Sequence, residues 1–347
     1  MAEVIVIGAG MAGTMAALTL RAAGHRVVVV DKGLAVGGRM AARTVEGATF
    51  DVGAQFLTAK SETFRRLTAG WAATGLLRTW FHGSPDRGAQ AEPDGHPRLH
   101  GVPTMRSLVE HLAGGLDVRL GWVVGAVTPR AQRLVVHLAR RPPDGSGGRG
   151  GPRPEGAATT TLEADAVLAT MPVPQTRAVL DAGGASLGSV AEHRLAAATY
   201  DPCLTLLAVP DGPTTLPARG AVRVADGDIT WITDNRVSGA SALPALTIHA
   251  GAELSRARYT AQTSEIADEL LTLATPLIGT AARPVHLHRW RYATPTAELG
   301  PEPMVERLGG CPFAVAGDAF AGGRVEGAAM SGLATAEALC GMLADDA

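Results

Sequence analysis

Val4-Ile5-Val6-Ile7 is an unbroken apolar, β-branched run with no polar position to set toward water. Such a strand is buried on both faces, as in a parallel sheet. Gly8-Ala9-Gly10-Met11-Ala12-Gly13 follows at once, and a helical pattern runs from Thr14 to Ala23 until Gly24 ends it. Val27 to Val30 is a second buried strand, closed by Asp31. Strand, glycine turn, helix and strand in that order make a βαβ unit.

Further on the pattern loosens. Trp71 to Pro97 is rich in glycine and proline and reads as irregular or edge structure. Met105 to Ala113 is amphipathic and ends at Gly114-Gly115. Val118-Arg119-Leu120, Val123-Val124 and Leu134 to Leu138 alternate like strands of a small antiparallel sheet. Residues 142–156 hold no core-forming side chains and read as a flexible hairpin tip. Ala164 to Thr170 is again a buried strand. The runs Cys203 to Val209, Ile229 to Ile232 and Ala245 to Ala250 then alternate as an antiparallel sheet would, with a helix over Ile266 to Ala274. A last strand, Phe313 to Ala316, leads into Gly317-Asp318, and the helix Ala328 to Met342 closes the pattern. The expected architecture is α/β (α+β). Residues 1–70, 100–175 and 295–347 form a discontinuous Rossmann-type domain, and 71–99 and 176–294 an inserted substrate domain with an antiparallel sheet.

Composition narrows the function. With 347 residues the chain is long for one domain, and a formal charge of −2 gives no reason to expect nucleic acid or an anionic membrane. Cys203, Cys311 and Cys340 are few and far apart, which fits reduced thiols and no metal site. No signal-peptide pattern and no apolar run of membrane-crossing length is evident, so a cytoplasmic enzyme is expected.

In a dinucleotide fold Gly8 makes the tight bend, Gly10 lets the backbone approach a pyrophosphate, and Gly13 lets helix and strand pack closely. The pyrophosphate sits on the helix N-terminus. Asp31, about twenty residues on, is placed to accept both hydroxyl hydrogens of an adenosine ribose. Gly37-Gly38-Arg39-Met40 allows a close passage, with Arg39 offering a planar fork to phosphates. In Phe50-Asp51-Val52-Gly53-Ala54-Gln55-Phe56, small residues flank an amide that can meet a flat ring.

Taken together, GAGMAG, the acid of VVVVDK, GGRM, FDVGAQF, HRWRYA at 288–293 and AGDAFAGGRVEGAAMSG at 316–332 resemble the FAD-dependent amine oxidase superfamily, and within it the renalase branch. That resemblance implies noncovalent FAD. Its contacts would come from Gly8, Gly10, Met11, Ala12, Gly13, Asp31, Lys32, Gly38, Arg39, Met40, Ala54, Gln55 and Val124. Gly317, Asp318, Val325, Glu326 and Ala328 would complete them, with Asp318 on the ribityl chain and a helix N-terminus aimed at the pyrimidine end. It also implies a substrate cleft of Gln55, Phe56, Trp231, His249 and Trp290. The implied reaction is oxidation of 2- or 6-dihydro isomers of NAD(P)H to NAD(P)+ by hydride transfer to flavin N5. O2 reoxidises the flavin and leaves H2O2. Of Arg289 and Arg291, read as alternating, one is expected to face the pocket.

Several positions depart from the family pattern. Phe56 stands where a tyrosine is usual, the stretch after His249 lacks a tryptophan, and residues 235–239 match loosely. No lysine follows Lys60, so the lysine usual in flavin amine oxidases is absent. These departures lie on the substrate side. They keep open a related flavin oxidoreductase acting on another small molecule, such as an amine, and an FAD-binding protein without turnover.

Overall fold

The computed structural model describes residues 1–83, 96–141, 158–224 and 227–346, so the expected hairpin tip at 142–156 lies outside the described residues. The chain divides into two compact units: Met1–Gly38, Leu112–Thr199 and Pro295–Ala347 form one, Arg39–His111 and Tyr200–Thr294 the other.

The first unit is built on a six-stranded sheet. Across it the strands run Met304–Leu308, Cys311–Val315, Ala166–Ala169, Glu3–Ile7, Arg26–Asp31 and Asp117–Leu120. All neighbours are parallel except the first pair, Met304–Leu308 against Cys311–Val315. The apolar run at 4–7 is therefore the inner strand its composition demands. Val4 and Val6 share a core cluster with Leu168 and Ala314, closed by Leu20 of the helix Met11–Ala22 and Leu339 of Val325–Asp345. Full burial of a side chain such as Leu20 or Leu168 is worth about 2 kcal/mol.

Two sequence expectations change here. Asp117–Leu120 belongs to the parallel sheet, with Val118 opposite Val29, and not to the antiparallel one. An edge strand covered on one face alternates as an antiparallel strand does, so the pattern cannot separate them. The antiparallel sheet is Trp122–Arg130, Arg133–Arg140 and Thr159–Ala164. Second, Val325–Asp345, at 21 residues, is long and apolar enough to cross a membrane. Its Ala329, Ala336 and Leu339 are fully buried, and Ala336 and Leu339 join the core cluster under the parallel sheet.

In the second unit a five-stranded sheet runs Ala221–Arg223, Ile229–Asp234, Leu246–Ala250, Tyr200–Pro210 and Ala282–Pro295. Period-two alternation gives it two different faces. Leu204, Leu206, Ile232 and Ile248 point to one side, where Ile266, Leu270, Ala274 and Ile278 of the helix Thr263–Ile278 cover them. The other face carries Thr205, His249 and Trp231 in one cross-strand row, with Thr247 and Thr233 in the next. The hairpin Ala42–Val45/Ala48–Asp51 packs there through Phe50 on Leu207, with Val52, just past it, in the same cluster.

Trp71 to Pro97 is more regular than its composition suggests. Trp71 is buried in the helix Glu62–Ala73 against Phe64, and Leu77–His82 pairs antiparallel with Pro97–Gly101. The turn-forming residues are concentrated at 84–95, between the two strands.

Candidate functional site

In the first unit the helix starts at Met11, earlier than its pattern alone indicates, because Gly10 is an extended N-cap that supplies no side-chain bond. The amides of Met11, Ala12 and Gly13 thus begin a helix without a side-chain cap, the geometry that favours an anion. A β-carbon on Gly13 would fall on the carbonyl oxygen of Gly8, so only glycine lets the helix leave the strand here. Thr170 secures the same bend, its hydroxyl donating to the carbonyls of Ile7 (2.9 Å) and Gly8 (3.3 Å).

Asp31 holds the turn from the other side. Its Oδ2 accepts from the Ala9 amide at 2.7 Å and its Oδ1 from the Gly33 amide at 2.5 Å. The carboxylate expected on a ribose is thus first a brace between the glycine turn and the second strand. Each oxygen keeps a further lone pair for a hydroxyl. Beside it, burial lowers the Lys32 ammonium pKa; Asp31 opposes that shift and Arg141 adds to it. Gly38 approaches the same turn: a β-carbon on it would lie 3.2 Å from the Gly10 α-carbon. Val124 is buried beside a bulge in its strand.

Two strands away, at the same C-terminal edge of the parallel sheet, the Gly317 amide donates to Ser331 Oγ at 3.1 Å, and Asp318 is buried. Val325, Glu326 and Ala328 form the first turn of the closing helix, whose N-cap Arg324 makes no side-chain cap bond. Two helix N-termini of this unit therefore coincide with the positions assigned to a ligand.

The second unit gathers its candidates around the backbone of Asp51 to Gly53. Gln55 is 6 % exposed; its Nε2 donates to the carbonyls of Asp51 (2.7 Å) and Gly53 (3.0 Å), while its buried Oε1 meets no donor. His249 Nε2 and Trp290 Nε1 both reach the Val52 carbonyl, at 3.2 and 3.3 Å. Burial pushes the His249 pKa down to about 4, against a smaller upward pull from that carbonyl. The imidazole is therefore neutral at pH 7 and donates from Nε2.

Phe56 and Trp231 form a separate cluster, ring centroids 5.4 Å apart, with Phe81 edge-on to Phe56 at 6.1 Å. The Trp231 indole donates to Thr233 Oγ1. Arg39, expected on phosphates, directs Nη1 to the Ala293 carbonyl at 3.2 Å, and its own carbonyl accepts from the Ala54 amide. Met40 is buried beside it.

Arg289 and Arg291 require a correction. Residues two apart in a strand share a face. Arg289 bonds the carbonyls of Tyr259 and Ala261, and Arg291 stacks over the Tyr259 ring. His288 and Trp290, with rings 4.1 Å apart, take the alternate parity.

Sequence reasoning did not single out the scaffold beneath these groups. Asp51 Oδ2 lies 2.8 Å from His100 Nε2, and Oδ1 accepts from the Met105 amide. The Asp51 amide donates to Asn235 Oδ1, whose Nδ2 donates to Thr247 Oγ1, and that hydroxyl donates back to the Asp51 carbonyl. The one available signal was an acid set within the apolar stretch Phe50 to Gly53.

Comparison with known proteins gives three findings. Residues 6–71 match the NAD(P)-binding Rossmann-like domain. A stretch of 56 residues is 48% identical to putrescine oxidase of Kocuria rosea, covering 16% of this chain but only 12% of that protein. Among solved structures, a protoporphyrinogen oxidase-like protein from Exiguobacterium sp. 255-15 is similar with a TM-score of 0.69 at 14% identity, over 98% of this chain and 99% of that one. Wild-type putrescine oxidase bound to putrescine gives 0.66 at 16% identity over the same shares. The likeness extends over nearly the whole fold.

Proposed function

We propose that this chain is an FAD-dependent oxidoreductase with an amine oxidase-like fold, and more narrowly a renalase-type oxidase. Its substrates are then the 2- or 6-dihydro isomers of NAD(P)H, with O2 as the final acceptor.

The residues fit the cofactor. The uncapped amides of Met11, Ala12 and Gly13 suit a pyrophosphate, and Asp31 retains lone pairs for ribose hydroxyls. Asp318 is a buried acid suited to a hydroxylated chain, and the start of Val325–Asp345 favours negative charge. Gln55 Oε1 is a buried acceptor with no donor, and the isoalloxazine edge carries a ring N–H. Bound noncovalently, FAD would supply a two-electron acceptor that O2 reoxidises, releasing H2O2.

One observation carries the narrower reading: the groups gathered at Val52 are chemically quiet. His249 is a weak base with a pKa near 4, Gln55 and Trp290 are neutral, and no lysine follows Lys60. A dihydropyridine expels hydride with its own ring-nitrogen lone pair and needs to be held, not deprotonated. An alkylammonium must first lose a proton. The 48% identity to putrescine oxidase over 56 residues supports amine oxidation as a second reading.

Anaerobic mixing of the yellow protein with 2- and 6-dihydro-NAD(P), NADH and putrescine separates the two. Rapid bleaching of the flavin band by the isomers alone, with peroxide on readmitting air, is expected. Bleaching by putrescine instead would establish the second reading and remove the first.

A further inference from the structure

Beside Asp31 a circuit of hydrogen bonds ties together three segments of the first unit. The Gly33 amide donates to Asp31 Oδ1 at 2.5 Å, the Gly121 amide to the Gly33 carbonyl at 2.8 Å, and the Arg141 amide to the Gly121 carbonyl at 2.8 Å. The Arg141 side chain closes the circuit, its Nη1 donating to the Lys32 carbonyl at 3.4 Å. A guanidinium remote in sequence is thereby fixed next to the residue that follows Asp31. Its Nε is buried and meets no acceptor among the described residues. The half-buried Lys32 ammonium lies within electrostatic reach of it, so two positive charges sit together.

A buried N–H without an acceptor costs about 1–3 kcal/mol, which a ligand bearing an acceptor recovers. The neighbouring surface narrows the kind of ligand. Leu34 is 73 % exposed, and a β-carbon on Gly121 would lie 3.5 Å from Leu34 Cδ2. A large apolar side chain thus stands beside a polar planar fork. A group that suits both has apolar faces and hydrogen-bond acceptors along its edge, as a purine base has. The two cations favour a neutral, electron-rich ring over a cationic one.

We propose that Arg141 and Leu34 form the adenine seat of the dinucleotide site, Arg141 Nε donating in the plane of the base to a ring nitrogen while Leu34 covers one face. The proposal rests on the reading of Asp31 as the ribose acid of an FAD site, and adds to it the two residues that recognise the base.

The test measures FAD affinity of the full-length yellow protein, from the fluorescence of flavin released on dilution. Arg141→Met should raise the FAD Kd about tenfold, the scale of one hydrogen bond to a charged donor. Arg141→Lys, which keeps the charge and loses Nε–H, should remain several-fold weaker than the parent. Leu34→Ser is the second variant; the side chain is exposed, so the fold does not depend on it, and the Kd should rise about fourfold, the scale of one buried methylene. In each variant the absorption band of the flavin that stays bound should match the parent, because the base lies at the opposite end of the cofactor. The losses should also persist at high salt, since the partner is an uncharged base. An FAD Kd unchanged in the folded Arg141 or Leu34 variants overturns the proposal. So does a shifted flavin band, which a merely structural role would produce, or a loss confined to low salt, which would move the contact to the pyrophosphate. Failure of the FAD reading itself looks different: a parent protein that is colourless and takes up no FAD.

Discussion

His100 and Asp51, 49 residues apart in sequence, lie 2.8 Å apart through Nε2 and Oδ2, with both side chains only 1 % exposed. Asp51 uses its other oxygen for the Met105 amide and its main chain for Gln55, Asn235 and Thr247. The pair therefore joins the hairpin beneath the candidate site to the Pro97–Gly101 strand, and through Asn235 and Thr247 to the five-stranded sheet. Removing one partner of a buried pair strands the other without solvent. Asp51→Ala or His100→Ala should each cost about 1–3 kcal/mol in urea unfolding, the scale of a buried group left without its hydrogen-bond partner. The double variant should cost clearly less than the sum of the two. Strict additivity would show that the pair is not coupled.

A second expectation concerns the glycine turn. Asp31→Ala removes two charge-assisted bonds, to the amides of Ala9 and Gly33, along with any ribose contact. Flavin affinity should fall at least about tenfold, read as a lower ratio of flavin to protein absorbance after purification. An unchanged ratio would mean that Asp31 neither shapes the turn nor meets the cofactor.

Stability should depend on pH through His249. Its pKa is about 4 in the folded chain against 6.5 for a free imidazole, so above pH 6.5 both states are neutral. Between 6.5 and 4 the unfolded chain takes up a proton that the native state refuses. Stability therefore falls as the pH drops through that window, by up to about 3 kcal/mol, and levels off below it. His286, depressed by burial and by the neighbouring Arg43, acts in the same direction. His249→Gln can still donate to Val52, and its urea midpoint should fall less steeply from pH 7 to 4.5 than that of the parent. Parallel curves would sink the assignment.

Gln55→Leu removes the unmatched Oε1 together with two donated bonds. Flavin affinity should fall about tenfold, the scale of one hydrogen bond to the ring, and the anaerobic rate of flavin reduction should drop with it. A parental rate would leave Gln55 as a loop brace alone.

The βαβ unit is legible in the sequence because each of its devices is local: an apolar run, glycines at fixed offsets and an acid at the end of the next strand. The helix over Ile266 to Ala274 is legible for the same reason, its buried positions recurring every four residues. What escapes depends on partners far along the chain. Nothing near Asp51 announces His100, and nothing near Asp31 announces Arg141. Asp117–Leu120 shows a different limit, since alternation reports a half-covered strand and not the direction of its neighbour. Arg289 and Arg291 were within reach of parity alone, which places both on the Tyr259 side.

The central position of Glu3–Ile7 in its sheet also bears on how the protein is made. One neighbour, Arg26–Asp31, leaves the ribosome soon after it, but the other, Ala166–Ala169, follows some 160 residues later. At ordinary rates of translation that is a delay on the order of ten seconds. Throughout it a β-branched apolar strand presents an unpaired edge, open to any other extended chain. The nascent polypeptide therefore depends on chaperones, or on fast provisional burial of that edge, before its first domain can close.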